Sequence, residues 1–597
     1  MRTTLIFWVF CITLTFLFLS CDIGGGPSGS GSFKRTWCWQ NPIPQGNFLS
    51  GVQFINNNIG YALGDAGTIL HTNNGGTTWS LQKSPTESDL YAVSFINSSY
   101  GTIVGDNGTI LRTTDGGNTW VAQSSPSANP LFGVSFVDKN NGFAVGFGTL
   151  LKTTDGGNTW TIQDYQYELY GVSFANTKNG IAVGWGIILK TTNGGNTWNV
   201  LSNSYNLYAV SFIDSNNATA VGEVIIRTTN GGSTWTVQDD EHELWGVSFV
   251  DSNHGTAVGP GGRVLATSNG GTNWIEQNSN TTSDLWSVHF ISTNLGVTVG
   301  EYGVILATTN GGKNWTDKSS GPRYTLRGIS FTDLNNGTVV GGSGKILHTT
   351  NSGNTWTEQI SGISNQLFDV SFINAQTGII VGSSGVILAT TNGGSNWNSR
   401  TSPTSNALWS VTFIDINTAC AVGSSGTIIR STDGGTSWFN QSSRTSYNLQ
   451  GVSFINSNKG IVVGANGIIL RTTNSGNNWN MINPSPTNNT LYDVKFIDTN
   501  NVVAVGTNGT MIVSTDGGST WSSKISGTPE TLNRISFIDM NNGVIVGNQG
   551  TILLTTDGGA NWIAEPKMTN YSFFGAKFMD INNITIIGDC GTILRRK

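Results

Sequence analysis

The sequence predicts an all-β protein built from one repeated four-stranded unit, on three observations. The first is composition: the 597 residues include 79 Gly and 20 Trp, and only 11% are charged, against about 25% in typical globular domains. The second is a turn motif that recurs at regular spacing. The third is an alternation of apolar residues between its copies. Strands joined by tight turns fit this pattern better than helices do.

The recurring motif has the form Ser/Thr-x-Asp/Asn-x-Gly-x-Ser/Thr/Asn-Trp, as in residues 113–120. Such a period indicates a repeat architecture, and the matches extend from about residue 34 to the last residue. The tryptophan recurs every 37 to 42 residues, at positions 79, 120, 160, 198, 235, 274, 315, 356, 397, 438, 479, 521 and 562.

Each unit contains four short strands. The first alternates and ends in Phe, as in residues 169–174. A polar turn leads to a second strand that ends in Val-Gly, a Gly-containing turn leads to the third, and the motif with its Trp leads to the fourth. The Phe occurs fourteen times, at positions 54, 95, 136, 174, 212, 249, 290, 331, 372, 413, 454, 496, 537 and 578.

A sheet of four short strands cannot bury both faces alone, so neighbouring units must stack. Radial stacking gives a β-propeller, in which most strand edges are protected. We therefore predict fourteen blades, arranged as two tandem seven-bladed propellers over residues 34–309 and 310–597. A linear β-solenoid is the competing architecture.

The chain ends suggest how the rings close. Thr36-Trp37 resembles the end of a motif without its turn, and the last unit stops at a third strand near Leu594. In the simplest version, the Trp37 strand completes the blade that ends near Thr308, and the Trp315 strand completes the last blade. In the alternative, Trp37 pairs beside Leu594 in one large ring or a double-crossed pair of rings. That version leaves a disulfide between Cys38 and Cys590 open, although two unpaired thiols are the simpler expectation.

The N-terminus predicts export. An apolar run of about 15 residues follows Arg2 and ends before Cys21, which is too short for a spanning helix. The segment resembles a bacterial lipoprotein signal, with residues 1–20 removed, Cys21 lipidated and residues 21–33 as a Gly/Ser-rich tether. An ordinary secretory signal is the alternative. We expect a cell-envelope protein, periplasmic or surface-exposed, that is held to the membrane by its lipid anchor only.

Charge and residue types exclude several functions. A net charge of -6 gives no basic excess for nucleic acid. The five His have no metal-ligand spacing, no phosphate-binding loop or nucleophile motif occurs, and we expect no metal and no cofactor. The Asp/Asn position of the motif is Asp in five units and Asn in eight. Because an amide cannot replace a catalytic or metal-binding carboxylate, the motif is interpreted as structural.

The motif resembles the Asp-box, or bacterial neuraminidase, repeat. The whole unit, Gly-Val-Ser-Phe, Ala-Val-Gly, Gly-Thr-Ile-Leu and Thr-Asp-Gly-Gly-x-Thr-Trp, is similar to the photosystem II assembly and stability factor family. The resemblance implies an exported propeller without enzymatic activity that binds assembling membrane proteins. We accordingly predict a lipid-anchored, non-catalytic protein-binding or assembly scaffold, with an envelope or membrane protein client, or a glycan, as partner.

The alternative function is a polysaccharide-binding protein or a glycoside hydrolase, similar to the tandem-propeller enzymes that degrade xyloglucan. Such enzymes need paired carboxylates on loops. The acidic loop residues that stand out here are Asp164, Glu168, Asp239, Asp240, Glu241 and Glu243.

Two sets of residues are candidate binding residues. In most units the residue that opens the inner strand is aromatic, and in the first half this gives Tyr91, Phe132, Tyr170, Tyr208, Trp245 and Trp286. These side chains either pack between blades or surround a central opening. In the second half the series is interrupted at Arg327, Gln450 and Asn533. The second set is given by resemblance to the family's Arg patch, a solvated outer edge being the alternative: Arg112, Lys152, Lys190 and Arg227.

Overall fold

The computed structural model of the protein describes residues 37–42, 45–163, 166–202, 204–319, 321, 323–580 and 582–596. These residues form fourteen four-stranded antiparallel sheets, which confirms the predicted all-β propeller fold. The predicted signal peptide, the tether, Cys21 and Asp164 lie outside the described residues. Within the described ranges, no helix is both long enough and apolar enough to cross a membrane.

The innermost strand of each sheet is the six-residue element that ends in Phe, with small variations. In the first seven sheets these strands are β2 (Leu49–Phe54), β6 (Leu90–Phe95), β10 (Leu131–Phe136), β14 (Leu169–Phe174), β18 (Leu207–Phe212), β22 (Gly246–Phe249) and β26 (Leu285–Phe290). In the other seven they are β30 (Leu326–Phe331), β34 (Leu367–Phe372), β38 (Leu408–Phe413), β42 (Leu449–Phe454), β46 (Leu491–Phe496), β50 (Leu532–Phe537) and β54 (Phe573–Asp580).

The second strands are buried along their length because a neighbouring sheet covers each face. They are β3 (Gly60–Gly64), β7 (Gly101–Gly105), β11 (Gly142–Gly146), β15 (Gly180–Gly184), β19 (Ala218–Gly222), β23 (Gly255–Val258), β27 (Gly296–Gly300), β31 (Gly337–Gly341), β35 (Gly378–Gly382), β39 (Ala419–Gly423), β43 (Gly460–Gly464), β47 (Val502–Gly506), β51 (Gly543–Gly547) and β55 (Asn583–Gly588).

The third strands carry the apolar triplet and end at the turn motif. They are β4 (Ile69–Thr72), β8 (Ile110–Thr113), β12 (Thr149–Thr153), β16 (Ile187–Thr191), β20 (Ile225–Thr228), β24 (Val264–Thr267), β28 (Ile305–Thr308), β32 (Ile346–Thr349), β36 (Ile387–Thr390), β40 (Ile428–Ser431), β44 (Ile469–Thr472), β48 (Met511–Ser514), β52 (Ile552–Thr555) and β56 (Ile593–Arg596).

The outer strands are short and largely exposed. They are β5 (Ser80–Leu81), β9 (Val121–Ala122), β13 (Thr161–Gln163), β17 (Asn199–Ser202), β21 (Thr236–Asp239), β25 (Ile275–Gln277), β29 (Thr316–Asp317), β33 (Thr357–Gln359), β37 (Asn398–Ser399), β41 (Phe439–Gln441), β45 (Asn480–Met481), β49 (Ser522–Lys524), β53 (Ile563–Ala564) and, in the last sheet, β1 (Trp37–Asn41). Single 3-10 turns follow eight of the second strands, at Asp106–Gly108, Pro260–Gly262, Glu301–Gly303, Gly342–Gly344, Ser383–Gly385, Ser424–Gly426, Ala465–Gly467 and Asp589–Gly591.

The inner strands contact one another in two closed circles. From β2 to β26 each packs on the next, and β26 returns to β2; the same holds from β30 to β54, which returns to β30. We name these circles the first and second propellers. In the first, Val52 N donates to Ser287 Oγ at 3.3 Å across the joint between the last and first blades.

The predicted exchange of strands between the rings is wrong. β29, which follows Trp315, pairs with β28 in the first propeller. β1 instead pairs with β56, with Trp39 opposite Leu594, and completes the last blade of the second propeller. The alternative that placed Trp37 beside Leu594 therefore describes the strand pairing. The disulfide left open between Cys38 and Cys590 is absent, because Cys590 is a free thiol. The expectation of two unpaired thiols is wrong for Cys38, which is disulfide-bonded.

The core lies between blades. One cluster, for example, joins Val104 and Ile110 of one blade to Leu131, Val134 and Trp160 of the next. Most blades also satisfy an edge N–H of a neighbour, as when Phe136 N donates to Ser94 Oγ at 3.0 Å. The inner strands would otherwise present unpaired edge donors toward the channel.

The turn motif has the structural role that the sequence indicated. In the Asp form, Thr119 N donates to Asp115 Oδ1 at 2.9 Å, and in the Asn form Thr78 N donates to Asn74 Oδ1 at 2.9 Å. The motif Trp then stands edge-on to a Phe of the inner strand, as for Trp160 and Phe136 with ring centres 5.8 Å apart. Either side chain type closes the turn because the required contact is an oxygen acceptor.

Candidate binding surface at the mouth of the first propeller

One end of each central channel is formed by two positions in every blade. In thirteen blades the residue after the second strand donates its backbone N–H to the carbonyl of the residue before the inner strand, as Asp106 does to Asp89 at 2.8 Å. The second residue of the inner strand lies next to this pair, at a register irregularity such as that between Leu131 and Gly133. We call this end of the channel the mouth.

The predicted aromatic residues form a nearly continuous ring at the mouth of the first propeller. Neighbouring ring centres are 5.4 Å apart for Tyr91 and Phe132, 5.6 Å for Phe132 and Tyr170, 5.6 Å for Tyr170 and Tyr208 and 4.2 Å for Trp245 and Trp286. Five of the six side chains are half-buried, and Trp286 is 37% exposed. They therefore contact each other and still present surface at the opening.

Two further aromatic side chains extend this surface outward. Phe147 and Trp185, which follow the second strands of two adjacent blades, are 52% and 63% exposed. Phe147 forms a bridge with Glu168, and Trp185 N donates to the Glu168 carbonyl at 3.0 Å. Both therefore pair with Glu168, two residues before Tyr170, and add exposed aromatic surface on this side of the ring.

Carboxylates accept hydrogen bonds from the polar atoms of two of these aromatic side chains. Tyr170 Oη donates to Glu168 Oε2 at 3.1 Å, and Trp245 Nε1 donates to Glu243 Oε1 at 3.2 Å. Burial raises the pKa of Tyr170 to about 12, and its hydrogen bond to Glu168 adds to the rise. The tyrosines are neutral at ordinary pH, and the acidic side chains supply the charge of the mouth.

The four basic residues occupy a different part of the molecule. Arg112 and Arg227 are buried. Arg112 donates to the Lys139 carbonyl at 3.3 Å and Arg227 to the Ser252 carbonyl at 2.7 Å, in each case on the next blade. Lys152 Nζ and Lys190 Nζ likewise reach Asn196 Oδ1 and Ser233 Oγ, at 2.8 and 2.9 Å. These contacts tie blades together; a client-binding role for the four residues stays a prediction.

The second propeller has a different mouth and channel. Arg327, Gln450 and Asn533 interrupt its aromatic series, and the Arg327 guanidinium lies over Phe574. Deeper in, Arg534 lies 3.5 Å from Asp369 and 3.9 Å from Asp493. Burial raises the pKa of Asp493, and Arg534 opposes that rise. These three side chains satisfy one another, so they are assigned to the packing of this channel.

A pair of carboxylates lies where the propellers meet. Asn570 Nδ2 of the second propeller lies 3.2 Å from Asp65 Oδ2 and 3.1 Å from Asp89 Oδ1 of the first. Burial and then the charge of Asp89 raise the pKa of Asp65 to about 6. This pair was not among the candidate acids, because sequence spacing does not reveal a contact across two rings. No group of three or more His, Cys, Asp or Glu able to hold a metal occurs among the described residues.

The family model for the photosynthesis system II assembly factor YCF48 matches residues 33–121, 122–243, 237–323, 277–362, 401–487 and 475–568. The chain belongs to this family. The match confirms the resemblance read from the repeats. A search of the curated proteins gave no match.

Solved structures share the tandem architecture of this family member. The GH74 enzyme of Niastella koreensis is 16% identical with a TM-score of 0.61, over 93% of this chain and 98% of that one. The GH74 xyloglucanase from Xanthomonas campestris is 12% identical with a TM-score of 0.62, over 94% and 100%. PorZ, a surface component of the type-IX secretion system of Porphyromonas gingivalis, is 11% identical with a TM-score of 0.64, over 94% and 86%.

These comparisons contradict the prediction that the chain has no enzymatic activity. Several of the similar tandem propellers are GH74 glycoside hydrolases. At these identities the likeness establishes the fold alone. The architecture is therefore shared by enzymes and by a secretion-system component, and function has to be argued from the site.

Proposed function

We propose that the chain is an envelope protein, exported and lipid-anchored through Cys21, that binds a protein segment at the mouth of its first propeller. The observation that carries the proposal is the ring of half-exposed aromatic side chains at that mouth. Aromatic rings contribute large contact areas at low conformational cost, and they are enriched where proteins bind other proteins.

The shape of the ring favours a protein segment over a flat sugar surface. Adjacent rings are tilted by 44° to 59° along the stretch from Tyr91 to Tyr208, so they present edges as well as faces. Small residues follow them in their strands, such as Gly133 and Gly171, whose backbones pack closely against the next blade. An opening with an aromatic rim suits a single side chain or an extended segment.

Selection from a random dodecapeptide library tests the proposal, using the purified chain as bait. We expect enriched peptides whose affinity falls at least tenfold in Trp286→Ala. Trp409→Ala, which removes a Trp at the same strand position in the third blade of the second propeller, is the control and is expected to retain affinity. Absence of enriched peptides, or equal losses in both variants, would refute a binding site at the first mouth.

A second candidate function is glycoside hydrolysis, favoured by Asp65 and Asp89 at the junction. Two carboxylates near one amide nitrogen, one with a pKa of about 6, resemble the acid and base that this reaction requires. Release of reducing ends from xyloglucan should be measured for the wild type, Asp65→Asn and Asp89→Asn. Turnover that both substitutions abolish would establish this function, and absence of turnover in the wild type would exclude it for that substrate.

A further inference from the structure

The two mouths differ at one equivalent position. In the first blade of each ring, the second residue of the inner strand is Ser50 in the first propeller and Arg327 in the second. The Arg327 guanidinium carbon lies 4.7 Å from the ring centre of Phe574 and 5.7 Å from that of Phe368. The second mouth therefore holds its own cation between two aromatic neighbours, at distances typical of cation–π contacts.

The first mouth has the aromatic neighbours without the cation. Ser50 lies in the blade between those of Trp286 and Tyr91, which correspond to Phe574 and Phe368. Phe48 stands edge-on to Trp286, with ring centres 5.1 Å apart. The Ser50 hydroxyl donates to the Leu90 carbonyl and carries no charge. The two aromatic neighbours of the guanidinium are thus repeated here, with a short polar side chain in its place, and Phe48 adds a third aromatic ring.

Acidic residues are concentrated at the first mouth. Of the fourteen positions that flank the second and inner strands there, eight are acidic: Asp65, Asp89, Asp106, Glu168, Glu223, Glu243, Asp284 and Glu301. Asp589 is the one acidic residue at the fourteen corresponding positions of the second propeller. Among the described residues, none of the eight carboxylates has a Lys, Arg or His nitrogen within 4.0 Å.

At one of these positions, that of Asp284, packing does not require the charge. Asp284 Oδ1 accepts a backbone N–H from Gly261 at 2.7 Å, and in the second propeller Asn448 Oδ1 accepts the same bond from Ser425 at 2.9 Å. An amide therefore suffices at this position. Glu301, in the blade beside that of Ser50, corresponds to Asp589 of the second propeller. Burial lowers the pKa of Arg327, and the negative charge of Asp589 opposes that fall. The second mouth thus has both the carboxylate, Asp589, and the cation, Arg327. The first mouth has the corresponding carboxylate, Glu301, but Ser50 in place of the cation.

We propose that the first mouth binds a basic protein segment, one of whose Arg or Lys side chains lies between Trp286 and Tyr91 at Ser50. This inference rests on the proposed function and specifies the charge of the segment. Asp284 and Glu301 pair with the cation, the aromatic faces contact it, and the remaining carboxylates attract the rest of the segment. Like charges without counterions make such a surface complementary to a positive partner.

Fluorescence anisotropy with two labelled dodecapeptides tests the charge of the ligand. One peptide alternates Arg and Ser and the other alternates Glu and Ser. We expect the full chain to bind the Arg peptide at least tenfold more tightly, with affinity that decreases as salt rises from 0.05 to 0.3 M. Equal affinity for the two peptides, or preference for the Glu peptide, would overturn the inference.

Substitutions at Ser50 test its location. Ser50→Arg places in the first mouth the side chain that the second already carries, so we expect it to reduce affinity for the Arg peptide at least tenfold. Ser50→Gln also introduces a longer polar side chain but a neutral one, and it is expected to reduce affinity for the Arg peptide less than Ser50→Arg does. Glu301→Gln should weaken binding about tenfold, whereas Glu276→Gln, on the exposed outer strand β25, should not. Circular dichroism establishes that each variant is folded.

The outcomes separate this inference from the proposed function. If library peptides depend on Trp286 but show no basic preference, and Ser50→Arg retains their affinity, the binding site stands and the cation site is refuted. If Ser50→Arg misfolds, Glu301→Gln against Glu276→Gln decides the same question. Equal effects of those two substitutions would overturn the inference.

Discussion

At the residue scale, the turn motif needs a side-chain oxygen that accepts backbone N–H groups, and either Asp or Asn can supply it. Asp516 accepts backbone N–H groups from Ser519 and Thr520, both at 2.9 Å. The hydrogen bonds with Thr520 lower the pKa of Asp516 to about 2. Because eight other units carry Asn at this position, the acceptor oxygen is needed for folding and the charge contributes little.

We predict that Asp516→Asn changes the free energy of unfolding by less than about 1 kcal/mol, since the group is exposed and screened. Asp516→Ala, which removes the acceptor, should cost about 1 kcal/mol or more. The lowered pKa stabilises the fold above the ordinary Asp value of 3.8, and this contribution disappears as pH falls toward 2. Urea unfolding between pH 2 and 6 measures both effects. A larger loss of unfolding free energy in Asp516→Asn than in Asp516→Ala would contradict this account.

Single residues also mark the limit of sequence interpretation. The aromatic series was readable because it repeats at one position of most inner strands, and the structure places its members in the first propeller side by side. The acidic residues of the mouth alternate between two positions in different turns. Their proximity depends on the hydrogen bond between those turns, which no spacing in the sequence reveals.

At the element scale, the strand that completes the last blade is the feature that sequence alone misassigned. The strand pattern and unit count were predictable, because every blade carries the same alternation and turns. The partner of β1 was not, since any third strand that lacks a fourth accepts an antiparallel edge strand. The incomplete last unit, rather than the blade near Thr308, provides that edge.

We predict that Trp39→Ala in β1 destabilises the second propeller by about 3–5 kcal/mol, the usual cost of emptying a buried aromatic site. Trp39 is 4% exposed and packs with Phe573, Ile586 and Leu594. Trp185→Ala, at a residue 63% exposed, is the control and should change stability by less than about 0.5 kcal/mol. Limited proteolysis should cleave Trp39→Ala first within residues 326–596, and initial cleavage in the first propeller would contradict the assignment.

At the scale of the whole molecule, the two rings meet through polar groups. Asn47, which lies just before β2 of the first propeller, donates through Nδ2 to the Met568 carbonyl at 3.0 Å. Asn570 of the second propeller donates to Asp65 and Asp89. Two like charges at this contact make it sensitive to pH. The repeat pattern did not predict it, because it arises only when two complete rings are placed together.

We predict that the junction is weaker at pH 7 than at pH 4.5. Burial and Asp89 raise the pKa of Asp65 to about 6, so the native state holds a proton that the unfolded chain releases near pH 4. The stabilisation is present below the ordinary Asp pKa and is lost as pH rises through about 6. Asp65→Asn should remove this dependence and raise stability at pH 7 by about 1–2 kcal/mol. Calorimetry from pH 4 to 8 measures the stability of the wild type and of Asp65→Asn. If stability changes with pH in the same way in both proteins, the prediction is refuted.

The pairing of β1 with β56 has a consequence for how the polypeptide matures. The ribosome makes Trp37–Asn41 before any other described strand, yet its partner Ile593–Arg596 is the last of the described strands to be made. The first ring, from β2 to β29, needs no segment from outside itself and can assemble while the rest of the chain is still being translated. The second can be sealed only after β56 has been synthesised, so a chain cut short before that strand leaves β1 without its partner.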